Sequence, residues 1–215
     1  QIKLIFNMET RNTLSILIPS IPERKENLFR LQKELYKQAF AIHNTFPIIG
    51  CIEILVDDSK SFLNGGLSIG KKREGLIRRA QGRYVCFLDD DDIPAPNYVK
   101  TALELCAEGN HVVTFRALFK LNDYWGIINM SLLNKENEQA TPDRIIQRPP
   151  WHMCFMWTEF ARLYDFKDIN NAEDFEWMEK VLSHCRTESH TDKILFQYNH
   201  GNHSEADKIN VAGYL

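Results

Sequence analysis

Four consecutive carboxylates, Asp89-Asp90-Asp91-Asp92, follow directly on the apolar run Tyr84–Leu88. Side chains of an extended strand alternate faces, so Asp89 and Asp91 are expected on the same side. Two carboxylates at an exposed strand end repel one another unless a counter-charge joins them. A hard divalent cation, Mn2+ or Mg2+, suits oxygen ligands of this kind, and a bound diphosphate would fill its remaining positions. Such an ion neutralises charge developing on a leaving phosphate. One or two acids would suffice to cap the helix expected near Pro94 and Pro96, and four exceed that need. An EF-type calcium loop is excluded because its glycine and its distal glutamate are missing. A second acidic group, Glu173-Asp174 with Glu176, opens a later amphipathic segment.

The elements that must position these residues alternate strand and helix. Leu14–Ile18 is a short apolar run stopped by Pro19, which predicts a buried strand. Leu28, Leu31 and Leu35 recur at helical spacing within a predicted helix over Arg24–Phe40. Ile52–Val56 is a second strand, ended by Asp57-Asp58-Ser59. A basic helix spans about Gly70–Gln81, with Gly82 expected as its left-handed C-terminal stop. Tyr84–Leu88 is the third strand, a helix runs from the prolines to about Glu108, and His111–Phe115 is the fourth strand. Leu118–Met130 holds one or two more strands, and Ser131–Pro150 reads as a long loop. A helix over Glu173–Cys185 and a strand at Ile194–Tyr198 lead into a polar tail. Successive βα units imply an α/β fold with a mostly parallel central sheet and helices on both faces. Ligands of such sheets bind at the carboxyl ends of the strands, where Pro19–Arg24, Asp57–Ser59 and Asp89–Asp92 all fall.

The stretch from Ser68 to Asp92 resembles the central signature of family 2 glycosyltransferases with the GT-A fold. It carries in order a basic helix, an Ala-x-Gly-x-Tyr turn (Ala80 to Tyr84), an apolar strand and the Asp run. Thr13–Arg24 is similar to that family's first strand and nucleotide loop, and Ile52–Ser59 to its Val-Asp-Asp-Ser segment. Glu74 departs from the pattern, since many members have Asn after the Arg. The resemblance implies a single glycosyltransferase domain over residues 13–215, with 13–98 its nucleotide-binding half and 99–215 its acceptor side. Residues 1–12 read as an extension, with Met8 a candidate natural start. It further implies that Pro19, Ser20 and Arg24 line the base and ribose of a nucleotide-sugar donor. By the same resemblance Asp57 or Asp58 accepts a hydrogen bond from the uracil ring, and Lys72 and Arg73 stand beside the nucleotide. Asp89 and Asp90 belong to the donor side, and Asp91, with Asp89, to the metal.

Sugar transfer to a hydroxyl needs a base to take the acceptor proton, and its oxocarbenium-like transition state favours a nearby carboxylate. Asn170–Trp177 resembles the Glu-Asp motif that supplies the base of inverting transfer in this family, with Asp174 the first choice and Glu173 the second. The same acids would also suit a helix N-terminus. Trp151, His152 and Trp177 are candidates for the acceptor side, and His200 or His203 in the tail for a further metal or phosphate contact. The expected reaction is metal-dependent, inverting transfer from a UDP-sugar, UDP-glucose by default, to a glycan or glycoconjugate hydroxyl.

Composition sets bounds on these expectations. The chain has 215 residues, 44% hydrophobic and 26% charged, enough for one core and unlike a disordered protein. A net charge of −3 argues against nucleic acid as a partner. Five cysteines without CxxC pairs read as buried free thiols. No run reaches the ~20 apolar residues of a membrane span, so a soluble cytoplasmic protein is expected, in host cytoplasm for a viral source. Competing readings are a haloacid-dehalogenase-type phosphatase and a nucleotidyltransferase. The first needs its Asp-x-Asp after an early strand, and the second needs a glycine-rich N-terminal loop that is missing. A catalytically inactive sugar-nucleotide-binding module would keep the strand-end acids and lack a usable base, so Asp174 separates it from an enzyme.

Overall fold

A computed structural model describes residues 13–45, 51–121, 124–138 and 145–198. Its sheet has the order β2-β1-β3-β8-β5-β6-β7. β1 (Leu14–Pro19) lies between β2 (Ile52–Asp57) and β3 (Tyr84–Phe87), and both pairings are parallel. With neighbours on both edges and helices over it, β1 is buried at every position, which explains its unbroken apolar run. Ser15 is its polar exception. Its Oγ donates to Glu53 at 2.6 Å and accepts the Gly82 N–H at 2.8 Å, so no buried polar atom is stranded there.

Beyond β3 the sheet is mixed. β8 (Phe155–Trp157) pairs antiparallel with both β3 and β5 (Val112–Leu121). β6 (Tyr124–Met130) runs antiparallel to β5 and parallel to β7 (Ile145–Arg148). β9 (Glu188–Tyr198) follows β5 in parallel with a register shift between Thr114 and Ala117. The two-residue β4 (Ile93–Pro94) pairs with Gln197 and Phe196 of β9. That short pairing pins the chain leaving the acidic run against the end of β9.

The helices cover the sheet in two groups. α1 (Lys25–Thr45) buries Leu28, Leu31, Leu35 and Ile42 along one stripe and packs on α3 (Tyr98–Ala107). Gln38 of α1 is also buried. Its amide donates to the Ala95 carbonyl at 2.8 Å and accepts the Val99 N–H at 3.1 Å, which satisfies an orphan donor of α3. α2 (Ile69–Arg79) lies over β1 and β2 and meets α5 (Glu173–Leu182), while α4 (Thr158–Ala161) sits by β3. One large core cluster runs from Leu14 on β1 to Phe196 on β9.

Three expectations need correction. Ser131–Pro150 is not all loop, since β7 extends the sheet along β6; Ile145 and Ile146 give too short an apolar signal to be read. Gly82 is not a left-handed stop. α2 ends at Arg79 with Ala80 as its cap, and Arg162, which caps α4, donates to the Ile77 and Ala80 carbonyls instead. Gly82 is required by closeness, because a Cβ there would lie 2.6 Å from the Ser15 backbone nitrogen. The final strand begins at Glu188, before its polar outer residues end. All five cysteines are free, and Cys86, Cys106, Cys154 and Cys185 are buried. No described helix is long and apolar enough to cross a membrane.

Candidate active site

The chain leaves the sheet at Phe87, so strand alternation does not extend through the aspartates as expected. Asp89–Asp92 instead form a turn. The Asp92 N–H donates to the Asp89 carbonyl at 3.0 Å, and the Asp89 N–H donates to Asp92 Oδ2 at 3.0 Å. Asp92 is buried and closes this turn rather than capping α3. Asp90 is 1% exposed; Ser20 Oγ donates to it at 2.5 Å and Arg24 lies 2.7 Å from its other oxygen. The same guanidinium stands 2.7 Å from Asp91. Burial pushes Asp90 up to about 6 despite Ser20 and Arg24, and raises Asp91 as well, with Arg24 opposing and Asp89 adding to the rise. The turn therefore holds more negative charge than one arginine neutralises.

α2 supplies the opposing cations. Ser68 caps it through Lys71 N–H at 3.2 Å and donates to Asp168 at 2.6 Å, while Ile69 N–H donates to Asn170 Oδ1 at 3.0 Å. These bonds dock the segment before α5 onto the start of α2. Gly70 permits the approach, because a Cβ there would lie 1.9 Å from the Lys167 carbonyl oxygen. Buried Lys72 donates to the Ser20 and Ser59 carbonyls, each at 2.5 Å, tying the ends of β1 and β2 together, and burial lowers its pKa. Arg73 is 4% exposed and faces three acids: Asp89 at 3.2 Å, Glu173 at 3.0 Å and Asp174 at 3.6 Å. Its guanidinium lies 5.2 Å over the Phe87 ring, and its Nε is buried without a hydrogen-bond partner.

Glu173 and Asp174 open α5 but differ in setting. Glu173 is buried and engaged by Arg73. Asp174 is 28% exposed at its side chain and takes a 2.5 Å hydrogen bond from His152 Nδ1. His152 Nε2 faces Arg73 Nη2 at 3.5 Å. A guanidinium can only donate, so that nitrogen is the acceptor and Nδ1 carries the proton towards Asp174. Burial works to raise Asp174, but the hydrogen bond from His152 and then the Arg73 guanidinium outweigh it and hold the carboxyl at about 2. Just before it, Ala172 adopts φ 58°, a left-handed conformation rare for alanine. Such strain persists where surroundings over-determine the backbone.

A cleft of about 450 Å3 gathers Pro19, Ser20, Arg24, Lys72, Arg73, Asp89, Asp90 and Asp91 on one side and His152, Glu173 and Asp174 on the other. A second cavity of about 1000 Å3 is lined by Trp151, Arg148 and the exposed face of α5. The two share His152, Ala172, Asp174 and Tyr198 as a common wall. Thus eleven residues singled out from sequence meet around one cleft, and Trp151 lines its neighbour. Asp57 and Asp58 lie outside both linings; Asp57 accepts the Ser59 N–H at 3.1 Å. Trp177 is corrected to a core residue. It is 2% exposed, stacks on Phe166 with centroids 4.5 Å apart and donates to the Ala161 carbonyl, so it offers no face to a sugar. His200 and His203 lie outside the described residues.

Asn170, Asn171 and Ala172, within the segment singled out for Glu173 and Asp174, also line the cleft, while Tyr198 was not assigned to the site. Tyr198 ends β9 next to the acidic turn, and burial and then the surrounding aspartates push its hydroxyl well up. Only its place at a strand end could have marked it. Among the described residues no three His, Cys, Asp or Glu side chains are arranged to hold a metal ion by themselves. Asp89 and Asp91 on one cleft wall do fit the mode in which one or two carboxylates share a hard cation with ligand phosphates.

The model of glycosyl transferase family 2 matches residues 64–167, the segment that carries α2, the acidic turn and His152. Among solved structures, S. aureus TarS 1-349 superposes with a TM-score of 0.60 at 16% identity, covering 87% of this chain and 60% of that one. The same protein in complex with UDP-GlcNAc matches with a TM-score of 0.60 at 14% identity, over 92% of this chain and 61% of that one. This chain therefore spans about 60% of the length of these two structures. No curated protein matches it. The segment matched by the family 2 model holds the cleft's basic helix and acidic turn, and the fold that surrounds them is that of GT-A glycosyltransferase structures.

Proposed function

We propose that the chain transfers a sugar, with inversion, from a UDP-sugar bound in the smaller cleft to a glycan hydroxyl presented in the larger cavity. One observation carries this reading: the ionised carboxylate of Asp174 stands in the wall common to the two spaces. In the reaction the acceptor oxygen bonds to the anomeric carbon on the Asp174 side. The bond from that carbon to the diphosphate breaks on the far side, and UDP departs with the electron pair. The acceptor proton passes to Asp174 as the new bond forms.

The other residues orient and neutralise. His152 holds Asp174 through Nδ1–H, leaving the carboxylate's second oxygen for the acceptor hydroxyl. Arg73 offers a buried Nε to the diphosphate while balancing Glu173 and Asp89. Asp91, with Asp89, would hold Mn2+ or Mg2+, and that ion supplies Lewis-acid neutralisation of the leaving diphosphate. Raised by burial, Asp91 gains from a cation that replaces lost solvation. A uridine donor is favoured by the fold's likeness to a protein solved with UDP-GlcNAc.

The test uses UDP-glucose and UDP-GlcNAc with and without Mn2+, read by thermal shift and UDP release. At least one donor should stabilise the protein only with the metal present. Asp91→Ala should abolish that metal-dependent shift. Asp174→Asn should bind donor as before and lose roughly 10²–10⁴ of turnover, the range for a positioned acid or base. Normal turnover in Asp174→Asn would remove Asp174 from the chemistry.

A further inference from the structure

The larger cavity contains a cation that the chemistry above does not use. Arg148 ends β7, with its guanidinium 4.4 Å over the Trp151 ring and its Nε buried without a hydrogen-bond partner. Among the described residues it has no ion-pair partner. Arg24 and Arg73, the arginines of the donor cleft, each face two or three carboxylates. Desolvation, opposed only in part by Tyr198, disfavours the charge on Arg148. A half-buried guanidinium left this way gains most from an anion whose paired oxygens match its fork.

The rest of the lining agrees. Lys135 and Arg186 are exposed at the cavity, and the facing acids are Glu179 and Asp174, so cations exceed anions even before Asp174's own bonds to His152 and Arg73 are counted. Trp151 and Phe175, the latter 63% exposed on α5, offer apolar faces of the kind that cover a sugar ring. Resting on the donor and acceptor assignment made above, we infer that the larger cavity binds an acceptor sugar carrying an anionic substituent, a phosphate or a carboxylate, which Arg148 grips while a hydroxyl meets Asp174.

Three methyl glucosides make the test: the neutral compound, its 6-phosphate and the corresponding glucuronide. Each is titrated by calorimetry into the protein, first alone and then saturated with UDP and Mn2+. At least one charged compound should bind about tenfold or more tighter than the neutral one, as expected for a hydrogen-bonded charge pair. Which compound does so separates phosphate from carboxylate. Arg148→Gln should erase the preference. Equal binding of all three compounds, or a preference that survives Arg148→Gln, would overturn the inference. Should Arg148→Gln fail to melt as a folded protein, Arg148→Lys decides, because keeping the charge without the fork should weaken anion binding severalfold. Absence of UDP binding would sink the donor assignment, while titrations on the free protein still judge the cavity.

Discussion

At the scale of single residues, the cleft works by dividing similar acids among different surroundings. Glu173 is locked to Arg73, Asp92 closes its own turn, Asp90 is buried behind Ser20, and Asp174 is kept ionised at the meeting of two spaces. The low pKa of Asp174 has a sign that can be checked. Its folded value near 2 lies below the ordinary value of about 4, so its contribution to stability is complete above about 4 and is lost as pH falls towards 2. Melting temperature should therefore drop more steeply between pH 4 and 2 in the wild type than in Asp174→Asn. His152→Phe removes the hydrogen bond that stabilises that charge, and the acid limb of kcat should move to higher pH with donor binding intact. An unmoved limb would place the proton elsewhere. Most of these residues were legible because polar side chains that directly follow apolar runs mark strand ends. Tyr198 and Arg148 were not, since Tyr198 takes its meaning from the distant acidic turn and Arg148 from the cavity that β7 and α5 form, and no local pattern encodes such an encounter.

At the scale of elements, the docking of residues 167–172 onto the start of α2 sets where Asp174 sits. Ser68, Ile69 and Gly70 make that joint with Asp168, Asn170 and the Lys167 carbonyl. Gly70→Ala puts a methyl against backbone, so it should destabilise the protein by roughly 1–3 kcal/mol and depress turnover more than UDP affinity. Ala172→Gly acts oppositely: it removes left-handed strain worth about 1 kcal/mol and should raise the melting temperature slightly while lowering kcat as the segment loosens. The βα units of the first half were readable from apolar runs and helical spacing. β7 was not, because a four-residue strand inside a polar stretch takes its identity from β6 beside it. Gly82 carried a true signal with the wrong cause: a tight approach to Ser15 rather than a helix stop.

At the scale of the whole molecule, the two halves implied by the family resemblance are interleaved. β8 comes late in the chain yet fills the sheet between β3 and β5, and β4 is tied to β9. Residues 13–98 alone would expose an edge of β3 and lose half of one continuous core. That fragment should lack a cooperative thermal transition, whereas residues 13–198 should unfold in one step by calorimetry. A folded, UDP-binding fragment would show that the halves are independent. The overall class was legible because alternating strand and helix signals leave few topologies, while the mixed strand order depends on pairings that sequence distance conceals.

If the proposed metal binds beside Asp91, the bridge from Arg24 to Asp90 and Asp91 would make the acidic turn a valence filter. An ion entering there would compete with a guanidinium that already brings one positive charge in good contact. Sodium or potassium would bring no more charge than it evicts, and only a divalent ion would come out ahead. Under the proposed reading, the arginine would keep abundant monovalent salt from filling the turn, and its displaced side chain would be free to meet the nucleotide arriving with the cation.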